Sequence, residues 1–181
     1  MAASERIVLG SGKLYAMVYT GTVPEDSAIE TDDNQVGHIS GGATLEYKPT
    51  FYSCKDDLGK VQKTILTDEE VLLKTGIMTW VANTLQKLCA TGRVTEDATK
   101  KVRTLKIGGI SNQDGKNYLI HFLHEDAEGN IRITIVGRNE AGFTLTFAKD
   151  KETVVDAEFK AMPKLDSEGT LVIYKEDMPK A

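Results

Sequence analysis

From Leu105 to Tyr174 the chain alternates apolar and polar positions in short stretches, YLIHF, IRITIV, FTLTF, TVVDAEF and TLVIY, separated by turns of acids and glycine. Alternate side chains on a strand point to opposite faces, so this pattern predicts a sheet buried on one face and wet on the other. In IRITIV the inward set is Ile131, Ile133 and Ile135, against Arg132 and Thr134. In FTLTF it is Phe143, Leu145 and Phe147, against Thr144 and Thr146. Asn112-Gln113-Asp114-Gly115, Glu128-Gly129-Asn130, Asn139 to Gly142 and Glu168-Gly169 supply residues that tolerate left-handed backbone angles. The expectation is an antiparallel β domain to which everything upstream adds strands or cover.

Upstream the pattern is less regular. Residues 1–13 (MAASERIVLGSGK) are small, polar and glycine-punctuated, and predict a flexible or partner-ordered arm. Leu14 to Tyr19 predicts the first strand. Residues 20–39 form a long loop whose acids Glu25, Asp26, Glu30, Asp32 and Asp33 have no base among them. A loop of that length is usually functional or disordered, so it reads either as solvated acid or as a subunit contact. Ser40 to Phe51 resumes alternation, with Ala43, Leu45 and Tyr47 on one side. Pro49 cannot donate to a ladder, so this strand ends there or lies at an edge. Lys55, Asp56 and Asp57 open a charged turn that leads into VQKTIL and DEEVLLK. The period then changes: Ile77, Val81, Leu85 and Leu88 fall at helical spacing between Thr75 and Gly92, predicting one flanking helix over 75–91. The polar residues 175–181 are expected to fray. At 181 residues a single domain is the expectation.

Charge changes the picture more than composition does. With 27 acids and 22 bases the formal charge is −5, which argues against tight nucleic-acid binding. No apolar run approaches the roughly 20 residues that span a bilayer, and the N-terminus lacks the pattern of a signal peptide. The expectation is a soluble chain made in the cytoplasm, with no membrane partner. Cys54 and Cys89 are too few for a disulfide framework or a four-thiolate zinc site.

Catalytic and metal-binding signatures fail on spacing. Gly109 to Gly115 with Lys116 looks like a phosphate loop but has five residues between its glycines where four are needed. His121 and His124 fall on opposite faces of a strand and read as structural. Asp126, Glu128 and Asn130 lack the later ligands of a calcium loop. Asp156, Glu158 and Lys160 share a strand face and read as a hydrated wall rather than a carboxylate pair. The expectation is no enzyme, no metal and no cofactor.

The order of these segments resembles the tail tube, or major tail, proteins of long-tailed bacteriophages, especially those of Gram-positive hosts. The resemblance runs over GATLEYKP (42–49), DDLGKV (56–61), TDEEVLLKTGIMTW (67–80), LKIGG (105–109), ITIVGRNEAGFTLTF (133–147), TVVDAEFKA (153–161) and EGTLVIY (168–174). It implies a mainly β fold of two packed antiparallel sheets, sandwich- or barrel-like, with one flanking helix. It implies a structural virion protein whose hexameric rings stack into the tail tube through which double-stranded DNA passes without specific binding. The implied partners are copies of itself, a tape-measure protein, a tail terminator and tail tip or baseplate proteins. Assembly would take place in the host cytoplasm.

Under this reading Thr144, Thr146, Asp156, Glu158 and Lys160 are candidates to face the channel. Glu25, Asp26, Glu30, Asp32, Asp33, Lys55, Asp56 and Asp57 are candidates for contacts between subunits or rings. A monomeric β-sandwich module that binds a small molecule or a cell-surface partner is the alternative. Removing residues 1–13, or shortening Thr22 to Gly37, is expected to leave the monomer folded and weaken polymerisation.

Overall fold

The computed structural model describes residues 7–178. Of these, 46% lie in strands and 8% in helices, and the strands form two antiparallel sheets, so the chain is mainly β. In chain order the elements are β1 (Lys13–Val18), α1 (Asp26–Ile29), β2 (Gln35–Gly37), β3 (Ile39–Lys55), β4 (Gln62–Ile77), α2 (Ala82–Lys87), β5 (Arg93–Asp97), β6 (Val102–Lys106), β7 (Tyr118–His124), β8 (Ile131–Asn139), β9 (Val155–Ala161) and β10 (Ile173–Glu176). The larger sheet runs β2-β1-β7-β8-β9-β4-β3. β10 pairs with β8 over Ile131 to Thr134, alongside the stretch that β9 does not reach. β5 and β6 make a separate two-stranded ribbon against which α2 packs.

The main core lies on one face of the large sheet, where Leu14, Ile120, Phe122, Ile135, Leu73 and Phe159 meet. A second core covers the opposite face of β1, β7 and β8, where Tyr15, Leu119, Leu123 and Val136 pack against Ile29 and Leu165. These three strands are therefore buried on both faces, not half wet as their alternation predicts. Every residue of β7 is buried, and Thr134, expected to face solvent, is buried too. The alternation survives on β9, where Val155, Ala157, Phe159 and Ala161 are buried and Asp156 is exposed. Gly137 marks a close backbone crossing: a Cβ there would stand 2.0 Å from the Lys160 carbonyl oxygen.

Three expected elements are corrected. The helix predicted over 75–91 shrinks to α2, because Val71, Leu73, Thr75 and Ile77 also alternate and the ladders to β3 and β9 claim them. β-branched Thr75, Ile77 and Val81 favour that outcome. FTLTF forms no strand, although Phe143 and Leu145 still pack on the main core. Phe147 stays 76% exposed with its ring edge toward Trp80. The polar tail does not fray over 175–177: Lys175 and Glu176 belong to β10, and the Asp177 amide donates to the Asn130 carbonyl (2.9 Å). Pro49 sits inside β3, which is an edge strand, so the second of the two readings of that proline holds. Of the predicted arm, residues 1–6 lie outside the described residues, as do residues 179–181 of the tail.

Gly137→Ala is expected to lower stability by about 1–3 kcal/mol, the range for overpacking a close backbone crossing. Urea denaturation read by circular dichroism measures the loss.

Candidate assembly interface

β4 pairs with β9 only from Leu72 to Ile77, whereas its pairing with β3 continues to Gln62. Beyond the Lys48–Glu70 pair the two strands leave the sheet as a bare ribbon. Its seven residue pairs reach about 23 Å at roughly 3.3 Å per residue. Every residue from Lys48 to Glu69 is exposed. Two-stranded ribbons are marginal in water, and this one also carries apolar groups on both faces. Phe51 lies opposite Leu66, and Tyr52 (60% exposed, like Phe51) lies opposite Ile65. Tyr47 adds a third exposed ring, its hydroxyl donating to Glu69 (2.6 Å).

At the tip, Asp56 closes the turn by accepting from the Val61 amide (2.7 Å), while Lys55 and Asp57 are exposed. The charged turn was legible in the sequence, but the ribbon's apolar groups were not singled out. Their signal is the adjacent pair Phe51-Tyr52 past a proline, which places one ring on each face.

On the face of the sheet away from the main core, β3, β4 and β9 carry an interlocked row of charges. Glu46 accepts from Lys48 (2.8 Å) and Lys74 (2.9 Å), Lys74 reaches Glu158 (3.2 Å), and Lys160 reaches Glu70 (2.9 Å). Hydrogen bonds from Lys48 and Lys74 hold the Glu46 carboxyl below the usual carboxylate range, and Lys160 does the same for Glu70. Leu72 stands between Glu46 and Lys160 in register yet is only 6% exposed, consistent with lysine stems covering it. With Asp156, the row has four acids (Glu46, Glu70, Asp156, Glu158) against three bases (Lys48, Lys74, Lys160), a formal −1. Glu158, Lys160 and Asp156 thus share the face expected of them. Thr144 stands at the margin, across an open groove of about 530 Å³ from Gly41 and Gly42, and Thr146 lies further along the same segment.

The acidic loop is only partly available to a partner. Glu30 turns inward and accepts from Arg132 Nε (2.7 Å) and His121 Nε2 (3.1 Å). A carboxylate can only accept, so His121 carries its proton on Nε2 and its Nδ1 accepts from the Thr134 hydroxyl (2.8 Å). Asp26 bonds Lys175 (2.8 Å), and Arg132 also holds Asp177 (3.1 Å). This network fastens α1 and β10 onto β7 and β8. Glu25, Asp32 and Asp33 are exposed. Because Ile29 and Val36 are buried, shortening Thr22 to Gly37 removes core as well as loop. The expectation that the monomer would tolerate it is corrected on that ground.

Both histidines of β7 are buried and bonded: His124 Nδ1 donates to the Ser11 carbonyl (2.6 Å). Among the described residues no cluster of three or more His, Cys, Asp or Glu could hold a metal ion, and no helix is long and apolar enough to cross a membrane. No protein-family model matches the chain, and no curated protein matches it.

Burial pushes the His121 pKa below its ordinary value, against the opposing pull of Glu30 and Asp26 and with the help of Arg132. The unfolded chain then binds more protons in acid, so this stabilisation is present above about pH 6.5 and fades as pH falls toward the lower folded value. Thermal melts from pH 7.5 to 5 are expected to drop more steeply in the parent than in His121→Gln. Glu30→Ala, which takes the acceptor from His121 Nε2 and from Arg132 Nε, is expected to cost about 2 kcal/mol at pH 7.5.

Proposed function

We propose that this chain is a structural subunit that polymerises, in the manner of a phage tail tube protein, into stacked hexameric rings around a channel for double-stranded DNA. The observation that carries the reading is the β3–β4 ribbon: a long projection with apolar groups on both faces and nothing among the described residues to cover them. An exposed edge strand with unpaired backbone is an aggregation hazard in a monomer and a ready-made joint in an assembly. β3 is that edge, and it continues outward as one side of the ribbon.

The charged row suits the channel wall. Its lysines are each engaged by a carboxylate, so it offers DNA phosphates little free positive charge, and a sliding duplex is not gripped. A tape-measure protein, a tail terminator and tail tip or baseplate proteins are the further partners of this reading. The virion tail is its location. The groove beside Thr144 is open to solvent, with polar and apolar groups mixed along its lining, and an open trough of this kind gives the alternative of a small-molecule module little support.

Phe51→Asp combined with Leu66→Asp tests the ribbon. Both residues are largely exposed, so the monomer's melting point should move by only a few degrees. Electron microscopy of the concentrated parent should show rings or tubes, and the double variant should show neither. Tubes built equally well by the variant, or a parent that stays monomeric with a bound small ligand, would sink the reading.

A further inference from the structure

Lys175 on β10 and Arg132 on β8 are direct partners across their ladder. Like charges so placed oppose the pairing of the strands that carry them. Carboxylates from α1 and its C-cap cancel that repulsion. Asp26 accepts from Lys175 (2.8 Å), a residue 149 positions away in sequence, and Glu30 accepts from Arg132 Nε (2.7 Å). Asp26 also stands 3.8 Å from that Nε, and Asp177, just past β10, accepts from Arg132 Nη1 (3.1 Å). The ladder between β10 and β8 therefore closes at low cost only while α1 lies against it.

Neither element is long enough to hold itself. α1 is a single turn of four residues, which repays little of its nucleation cost. β10 is a strand of four whose ladder partner among the described residues is β8, and short edge elements open most readily. The two also cover common ground. Ile29 of α1 is fully buried in the second core, and Ile173 of β10 packs against the same cluster. Beneath α1 lie Tyr15, Leu119, Leu123 and Val136, and behind β10 lies the edge of β8 from Ile131 to Thr134, which β9 does not reach. Loss of α1 would leave Arg132 and Lys175 face to face. Loss of β10 would strip Asp26 of its lysine and take Ile173 from the core that Ile29 fills.

We propose that α1 and β10 form one latch: they open and close together, and in opening they bare a strand edge beside an apolar face. Unpaired backbone next to exposed apolar side chains recruits added strands, so the closed latch keeps the chain from pairing there. The latch belongs to the monomer and does not depend on the self-assembly reading.

Native-state amide exchange on dilute full-length protein, read residue by residue by NMR, tests the coupling. The amides of Glu30, Asn34 and Gln35 report on α1 and its loop, that of Asp177 with those of β10 reports on the other half, and those of Leu72–Ile77 report on the sheet. Asp26→Asn alters no residue of β10, yet should speed exchange over Ile173–Asp177 at least about tenfold. Asp177→Asn should speed Glu30, Asn34 and Gln35 by a comparable factor. Adding Lys175→Met to Asp26→Asn removes the like-charge pair and should bring β10 back to within about threefold of the parent. In every variant Leu72–Ile77 should keep the parent's rates, which marks the opening as local. Variants that each loosen only their own element, or a Lys175→Met that fails to restore β10, overturn the proposal. So does equal acceleration of Leu72–Ile77, because the two elements would then open only with the whole fold.

Discussion

β4 is held on both sides over its last six residues and on one side over the rest, and the architecture follows from that inequality. Where β9 flanks it, from Leu72 to Ile77, the strand belongs to a core in which Leu73 and Ile77 are fully enclosed. Where β9 is missing, the same strand leaves the sheet with β3 alone. Backbone groups that lack a neighbour must bond to water or to another chain. One continuous strand therefore anchors the fold at one end and presents an unmet bonding demand at the other.

The same constraint explains which parts of the fold were legible in the sequence. Strands whose neighbours are close in the chain, such as β7 and β8, stand out because their alternation and their turn agree. The two-sided burial of β1, β7 and β8 does not show, because nothing in IRITIV announces that Ile29 and Leu165 will come to lie over its polar face. Arg132 and Thr134 look like solvent-facing residues, yet Arg132 bonds Glu30 in a distant loop and Thr134 bonds the buried His121 of β7. The overlong helix failed for a related reason. Thr75 to Val81 satisfies two periods at once, and only the presence of β3 and β9 decides between them.

Among the candidate site residues, legibility tracked exposure. Asp156, Glu158 and Lys160 fell on one face as read, because a strand's period fixes faces whatever its neighbours. Glu30 and Asp26 could not be told from Glu25, Asp32 and Asp33 by sequence, since all five are acids in a polar loop. What separates them is the one-turn helix α1, which buries Ile29 and so swings Glu30 toward His121 and Arg132. The apolar groups of the ribbon were passed over for the opposite reason: short apolar runs are common in cores, and only the structure shows that these have no core to enter.

The interlocked lysines and carboxylates on β3, β4 and β9 also determine how that surface is felt from a distance. Charges of opposite sign a few ångströms apart behave as a string of multipoles, whose potential decays faster than that of a lone ion and is further damped within a Debye length of about 8 Å in physiological salt. A polyelectrolyte moving past would meet a shallow corrugation, attractive and repulsive by turns, that averages out over a few residues. Such a surface is electrically quiet although it is densely ionised, and added salt has little left to screen.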